Sequence, residues 1–285
     1  MNPVWILAKL TLREAIRRRI MLAGLILGIS FLILFTIGFH FILTQIRSVT
    51  AANAPSQGIA HVADVESMNA FVMMGLYAVT FLSIAMAALL GADTLAGEIN
   101  SGTIQTIVTK PIRRSDVVLG KWFGFAGLLG LYLLLLAGGI VVSVFFQTGY
   151  IPDHLFTGLS LIYLEALLVM TITLMCSAAF PALATGGIVF GLYGLAFIGG
   201  WIEQFGSIMQ NQTAVKIGII TSLIIPSEAL WRRAAFEMQS PLAGALGMSP
   251  FGAISVPSIL MIVYAVLYLV ASLILSIRIF QNRDL

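Results

Sequence analysis

Six runs of apolar residues, each long enough to cross a bilayer as a helix, constrain this chain more than any other feature. They cover residues 20–46, 68–90, 122–146, 159–179, 183–201 and 254–277. A hydrocarbon core about 30 Å thick takes about 20 residues of helix. In lipid only a helix or a closed barrel satisfies every backbone N–H and C=O, and barrel strands are about 10 residues long with alternating polarity. These runs are longer and do not alternate, so they predict an all-α polytopic membrane protein with six transmembrane helices. Charged residues make up only 9% of the chain against roughly 25% in soluble domains, which excludes a water-soluble fold.

Orientation follows from the cations. With both termini cytoplasmic, which an even number of spans allows, the inner segments hold Lys9, Arg13, Arg17, Arg18, Arg19, Lys110, Arg113, Arg114, Lys121, Arg278 and Arg283. Only Arg47, Lys216, Arg232 and Arg233 fall outside, and an excess of Lys and Arg near span ends marks the cytoplasmic side. Ahead of the first span, Trp5, Ile6, Leu12, Ile16 and Ile20 oppose Lys9, Arg13 and Arg17, so residues 1–19 predict an amphipathic helix lying in the interface. The first apolar run is nearly twice as long as the core of a signal peptide, which is about 7–15 residues, and reads as a retained span.

Between the second and third runs lies the one extended polar island, residues 91–121, carrying Asp93, Glu98, Lys110, Arg113, Arg114, Asp116 and Lys121. Within it Ser101, Gly102 and Thr103 can end one helix and cap another. Ile104, Ile107 and Val108 then share one helical face, and Pro111 stops the helix and fixes the chain direction. A short rigid helix lying crosswise beneath the spans is the expected result. No catalytic residues are expected. The chain has no GxxxxGK[ST] phosphate loop and no GxSxG elbow. Cys176 is the only cysteine, and His40, His61 and His154 lie in separate segments, so no metal site is expected either.

The island and its flank resemble the cytoplasmic signature of permease subunits of ABC-2 type ATP-binding cassette exporters. The matching residues are Glu98, Gly102, Thr103, Ile104, Ile107, Val108, Pro111, Arg114, Val117, Val118, Gly120 and Lys121. The ending Phe280-Gln281-Asn282-Arg283-Asp284-Leu285 and the basic N-terminal helix are similar too, and in length and layout the chain looks closest to the permeases of sodium export and of nitrous oxide reductase maturation. The resemblance implies a single transmembrane domain over residues 1–285. It also implies a coupling role for Glu98, Gly102, Thr103, Ile104, Ile107, Pro111, Arg114 and Lys121, and a bacterial inner-membrane location. The implied partners are cytoplasmic ATPase subunits that bind ATP and magnesium, and a second permease copy or homologue. This chain itself would bind no cofactor and no nucleic acid. Asn100 stands where many relatives carry a second acid, so a charged contact here rests on Glu98 alone.

Within the spans, Gly24 and Gly28 of the first and Gly187 and Gly191 of the fifth allow close helix packing, inside one subunit or between two. Glu165 is the one acid well inside an apolar run and a candidate pathway residue. A mid-span carboxylate costs on the order of 2.5–3.5 kcal/mol on insertion scales, so it faces a partner, a wet cavity or the outer interface. Residues 202–257 read as an external or re-entrant segment: 215–225 is apolar but too short to cross, a helix starts near Pro226, and Trp231 and Arg232 suit an interface. Such a segment suits docking of a periplasmic protein, and a membrane anchor or assembly factor that transports nothing is the alternative to a permease. The topology is directly testable. Ser115→Cys is expected to react with an impermeant thiol reagent only from the cytoplasm and Gln57→Cys only from outside; labelling of both from one side contradicts six spans.

Overall fold

The computed structural model describes residues 3–53, 57–100, 113–240 and 255–282. Regular structure among the described residues is helical throughout: α1 (Pro3–Arg17), α2 (Arg19–Asn53), α3 (Gln57–Ala92), α4 (Thr94–Asn100), α5 (Arg114–Thr148), α6 (Leu155–Ala179), α7 (Ala182–Ile208), α8 (Gln212–Ile224), α9 (Ser227–Met238) and α10 (Ile259–Gln281). Six of these, α2, α3, α5, α6, α7 and α10, are long and apolar enough to cross a membrane, which bears out the six-span reading. The helices overrun the apolar stretches. α5 starts at Arg114 rather than at residue 122, because hydropathy marks the lipid-facing length while the backbone stays helical through the headgroup zone.

Six crossings bring α1 and the end of α10 to one face of the bundle, here the terminal face, together with α4 and the start of α5. Helix α6 is the most enclosed span, packed by α3, α5, α7, α9 and α10. By contrast α2, α7 and α10 leave most of their surface outside the subunit. α5 ends where Gly149 adopts φ 73° and donates its N–H to the Phe145 carbonyl at 2.8 Å, a left-handed cap that glycine takes without strain.

α1 uses two faces. Trp5, Ile6, Leu10 and Ile16 are exposed, as expected of a helix in the interface, while Ala8, Thr11 and Ala15 are buried against α5. The close approach is made possible by Gly120 and Gly124. A Cβ at Gly120 would lie 2.5 Å from Leu7 Cβ, and one at Gly124 would lie 2.8 Å from the Ala8 carbonyl oxygen.

α8 and α9 form a hairpin bent by 108°. At 13 and 12 residues neither helix alone reaches across a bilayer at about 1.5 Å per residue. The sequence dictates each corner. Asn211 caps α8, accepting from the N–H groups of Thr213 (3.0 Å) and Ala214 (3.3 Å). Pro226 forces the preceding Ile225 into extended backbone (φ −141°, ψ 114°), which ends α8. Gly199, Gly206 and Gly218 then let α8 lie directly against α7: Cβ atoms there would collide with Thr221, Ala214 and Glu203 respectively. Trp231 and Arg232 are not at an interface. Both are only 2% exposed, because α9 packs on α6 inside the bundle and turns them inward.

The glycine clamp on α1 predicts that Gly124→Leu displaces the helix, at a cost of about 1–3 kcal/mol for overpacking. The variant should melt at lower temperature in detergent, and Ala8→Cys made in that background should become reactive. Unchanged melting and a protected cysteine would show that α1 is held elsewhere.

Candidate functional site

Two regions carry chemistry. The first is an elbow on the terminal face. α3 ends at Ala92 and α4 begins at Thr94, and the corner is fastened from three sides. The Ser177 hydroxyl of α6 accepts from the N–H groups of Leu95 (3.2 Å) and Ala96 (3.1 Å) and donates to the Ala92 carbonyl (3.0 Å). It thus satisfies amides that the first turn of a helix leaves without partners. Lys121 Nζ of α5 reaches the Thr94 carbonyl at 3.5 Å, and Arg18 approaches Asp93 at 3.8 Å. Beneath the corner Leu95 packs with Val117, Val118, Ala178 and Phe280, which joins α4 to the ends of α5, α6 and α10.

The island residues are distributed accordingly. Lys121 is buried one and a half turns or more inside α5 instead of opening a span at the surface, and Arg114 donates to the Gln281 carbonyl at 3.0 Å, tying α5 to the end of α10. Gly102, Thr103, Ile104, Ile107 and Pro111 lie outside the described residues, as does the side chain of Glu98, whose backbone forms part of α4. Ser177 went unnoticed in the sequence because a serine near the end of an apolar run has no local signature of a cap for a helix some 80 residues earlier.

The second region is a cavity of about 550 Å³ between α2, α3 and α7. Its wall is aromatic and aliphatic, with Phe31, Phe81, Phe197, Tyr77 and Tyr193, and Ser30 on α2 adds a hydroxyl. Behind that wall lies a buried polar cluster. The Tyr77 hydroxyl donates to Glu228 Oε1 at 3.3 Å, and Trp201 Nε1 donates to the Tyr77 hydroxyl at 3.3 Å. Gly200 makes room for Glu228, whose Cγ occupies the space a Cβ would need. Arg232, one turn along α9, pairs with Glu203 of α7 at 2.5 Å and donates to the Ser222 hydroxyl at 3.2 Å, while Ser255 donates to the same Glu203 oxygen at 2.7 Å. Glu165 is 0% exposed, and neither of its oxygens has a hydrogen-bond partner. α6 starts at Leu155, so Glu165 stands ten residues into the helix, facing the interior of the bundle.

At the face opposite the termini the hairpin is tied down by Asn69, which is fully buried. Its amide donates to the Tyr150 hydroxyl (2.7 Å) and the Met238 carbonyl (3.1 Å) and accepts from the Ser240 N–H (3.3 Å). The four span glycines separate into two pairs. Cβ atoms at Gly24 and Gly28 would meet Met86 (2.7 Å) and Leu136 (2.9 Å), so these glycines serve packing within the subunit. Gly187 and Gly191 have no neighbour within 4 Å and lie on the open face of α7. Among the described residues no group of three or more His, Cys, Asp or Glu converges as a metal site would.

Six apolar spans define a multi-pass membrane protein. The chain belongs to the ABC-2 family of transporter proteins, whose family model matches residues 5–285. It is also similar to a protein described as the probable ABC transporter permease protein NosY of Stutzerimonas stutzeri, at 29% identity over 145 residues, 50% of this chain and 46% of that one. The similarity thus spans about half the length of that relative, and it agrees with the permease subgroup that the sequence resembles.

Proposed function

We propose that this chain is the permease subunit of an ATP-driven exporter in a bacterial inner membrane. It works paired with a second copy or homologue and with two cytoplasmic ATPase subunits that bind the ATP and magnesium. The observation that carries this reading is the elbow. α4 leads straight into the signature residues 101–112, and its first turn is held by Ser177, Lys121 and the Leu95 cluster on three different spans. A push delivered to α4 would therefore reach the ends of α3, α5 and α6 together. The terminal face is the cytoplasmic one in this reading, since it carries most of the Lys and Arg residues.

The cavity favours transport over a purely anchoring role. It lies where α2, α3 and α7 meet, beside the open α7 face that carries Gly187 and Gly191. A second copy packed through those glycines would close the cavity from the side and turn it into a pathway between subunits, since small residues let membrane helices approach closely. ATP-driven closure of the ATPases would then expose that pathway alternately to the two sides.

Charge reversal tests the coupling surface. Glu98→Lys is expected to leave insertion intact while weakening ATPase docking by a few kcal/mol, on the order of 100-fold, or uncoupling hydrolysis from transport. Co-purification of the ATPase and transport-linked hydrolysis are compared with the control Gln105→Asn. If the reversed variant matches the control in both, the segment is only a solvated loop and the proposal fails.

A further inference from the structure

The cluster behind the cavity holds more acid than base. Three carboxyl groups, Glu165, Glu203 and Glu228, lie in one buried region with a single guanidinium, Arg232, and all four residues are at most 4% exposed. Glu203 already has that guanidinium at 2.5 Å. Glu228 keeps one oxygen without a partner and Glu165 keeps two. The two carboxyls are within electrostatic reach of each other, and Tyr193 from α7 senses both. The other groups facing them are Tyr77 from α3 and Arg232, whose guanidinium acts on Glu228 as well as on Glu203; Lys121 is further toward the terminal face, at the level of Trp122, which bonds Thr171 rather than Glu165.

A carboxyl group buried without a partner is relieved by a proton or by a cation, because an isolated buried charge costs too much to persist. Only one side chain separates Glu228 from the cavity. Tyr77 lines the cavity with its ring and touches Glu228 with its hydroxyl, and Tyr193 lines it as well. An inorganic cation would find no shell of ligands, since no three acidic or metal-binding groups converge among the described residues. An organic cation is matched on every count: aromatic faces attract it from the walls, apolar side chains shed its water, and the cavity volume falls within the usual range of about 300–1,000 Å³ for small-molecule pockets.

Resting on the pathway reading above, we propose that the α2–α3–α7 cavity binds an apolar organic monocation, and that Glu165 and Glu228 supply the negative charge that selects it. Binding then exchanges one positive charge for another. The cation enters the cavity, and a proton held by the pair leaves through it to water.

The test uses the full chain in lipid nanodiscs with tetraphenylphosphonium as probe, tetraphenylborate as an anion of the same shape, and empty nanodiscs to subtract partitioning into lipid. Tetraphenylphosphonium should bind saturably and release about one proton per cation into weakly buffered solution, while tetraphenylborate should bind no better than to empty discs. The double variant Glu165→Gln/Glu228→Gln, checked to be monodisperse, should bind at least about tenfold more weakly and release no proton. Ser30→Trp fills the cavity from α2 without touching the carboxyls, so it decides the matter if the double variant does not fold; it should abolish binding. Equal binding of the borate, undiminished binding by the double variant, or binding that survives Ser30→Trp overturns the proposal. Because Glu98 is tested separately, loss of this inference with Glu98-dependent coupling intact would leave the permease reading standing with a different substrate class.

Discussion

The bundle depends on one contact between charges removed from water, the ion pair of Arg232 with Glu203. Both residues are at most 4% exposed, Arg232 lies 2.5 Å from a Glu203 carboxylate oxygen, and Ser222 and Ser255 add one hydrogen bond each. In a low-dielectric interior the desolvation of two such ions rivals their attraction, so the pair says less about net stability than about geometry. It allows one arrangement of α9 against α7. The bend at Pro226 and the close contacts at the glycines of α7 and α8 orient the hairpin alongside this pair.

From that seating the rest follows outward. α9 fills the side of α6, which places Glu228 beside Tyr77 and so puts the acids behind the cavity wall. At the far face Asn69 holds the end of the hairpin to α3 and to Tyr150, closing the core there. At the terminal face the same logic recurs in a milder form. Backbone amides and carbonyls freed at the α3–α4 corner are met by Ser177 and Lys121 instead of by water, which makes the corner stiff. The corner and the cavity share α3.

The sequence made some of this legible and hid the rest for identifiable reasons. Span number was readable because lipid demands about 20 consecutive apolar residues, a signal that no tertiary contact can mask. The break between α8 and α9 was readable from a short apolar run followed by Pro226. Trp231 and Arg232 were misplaced because their amphipathic character suits a headgroup region equally well, and only the burial of Glu203 on another helix decides between the two. Ser177, Asn69 and Glu228 carry no local signature at all, since their partners are 80 to 170 positions away. Gly120 was visible in the signature motif, but its role as a seat for α1 depends on Ala8 and Leu7, which hydropathy alone assigns to the lipid surface.

The central claim is that the Arg232–Glu203 pair fixes the hairpin, and a double-mutant cycle on folding tests it most directly. Arg232→Met alone should destabilise the protein by about 3–5 kcal/mol, because it leaves a carboxylate buried without a partner, and Glu203→Gln/Arg232→Met should recover most of that loss. Thermal or denaturant unfolding in mild detergent reads both. A single variant as stable as the parent, or a double variant no better than the single, would contradict the account and place the hairpin's anchor elsewhere.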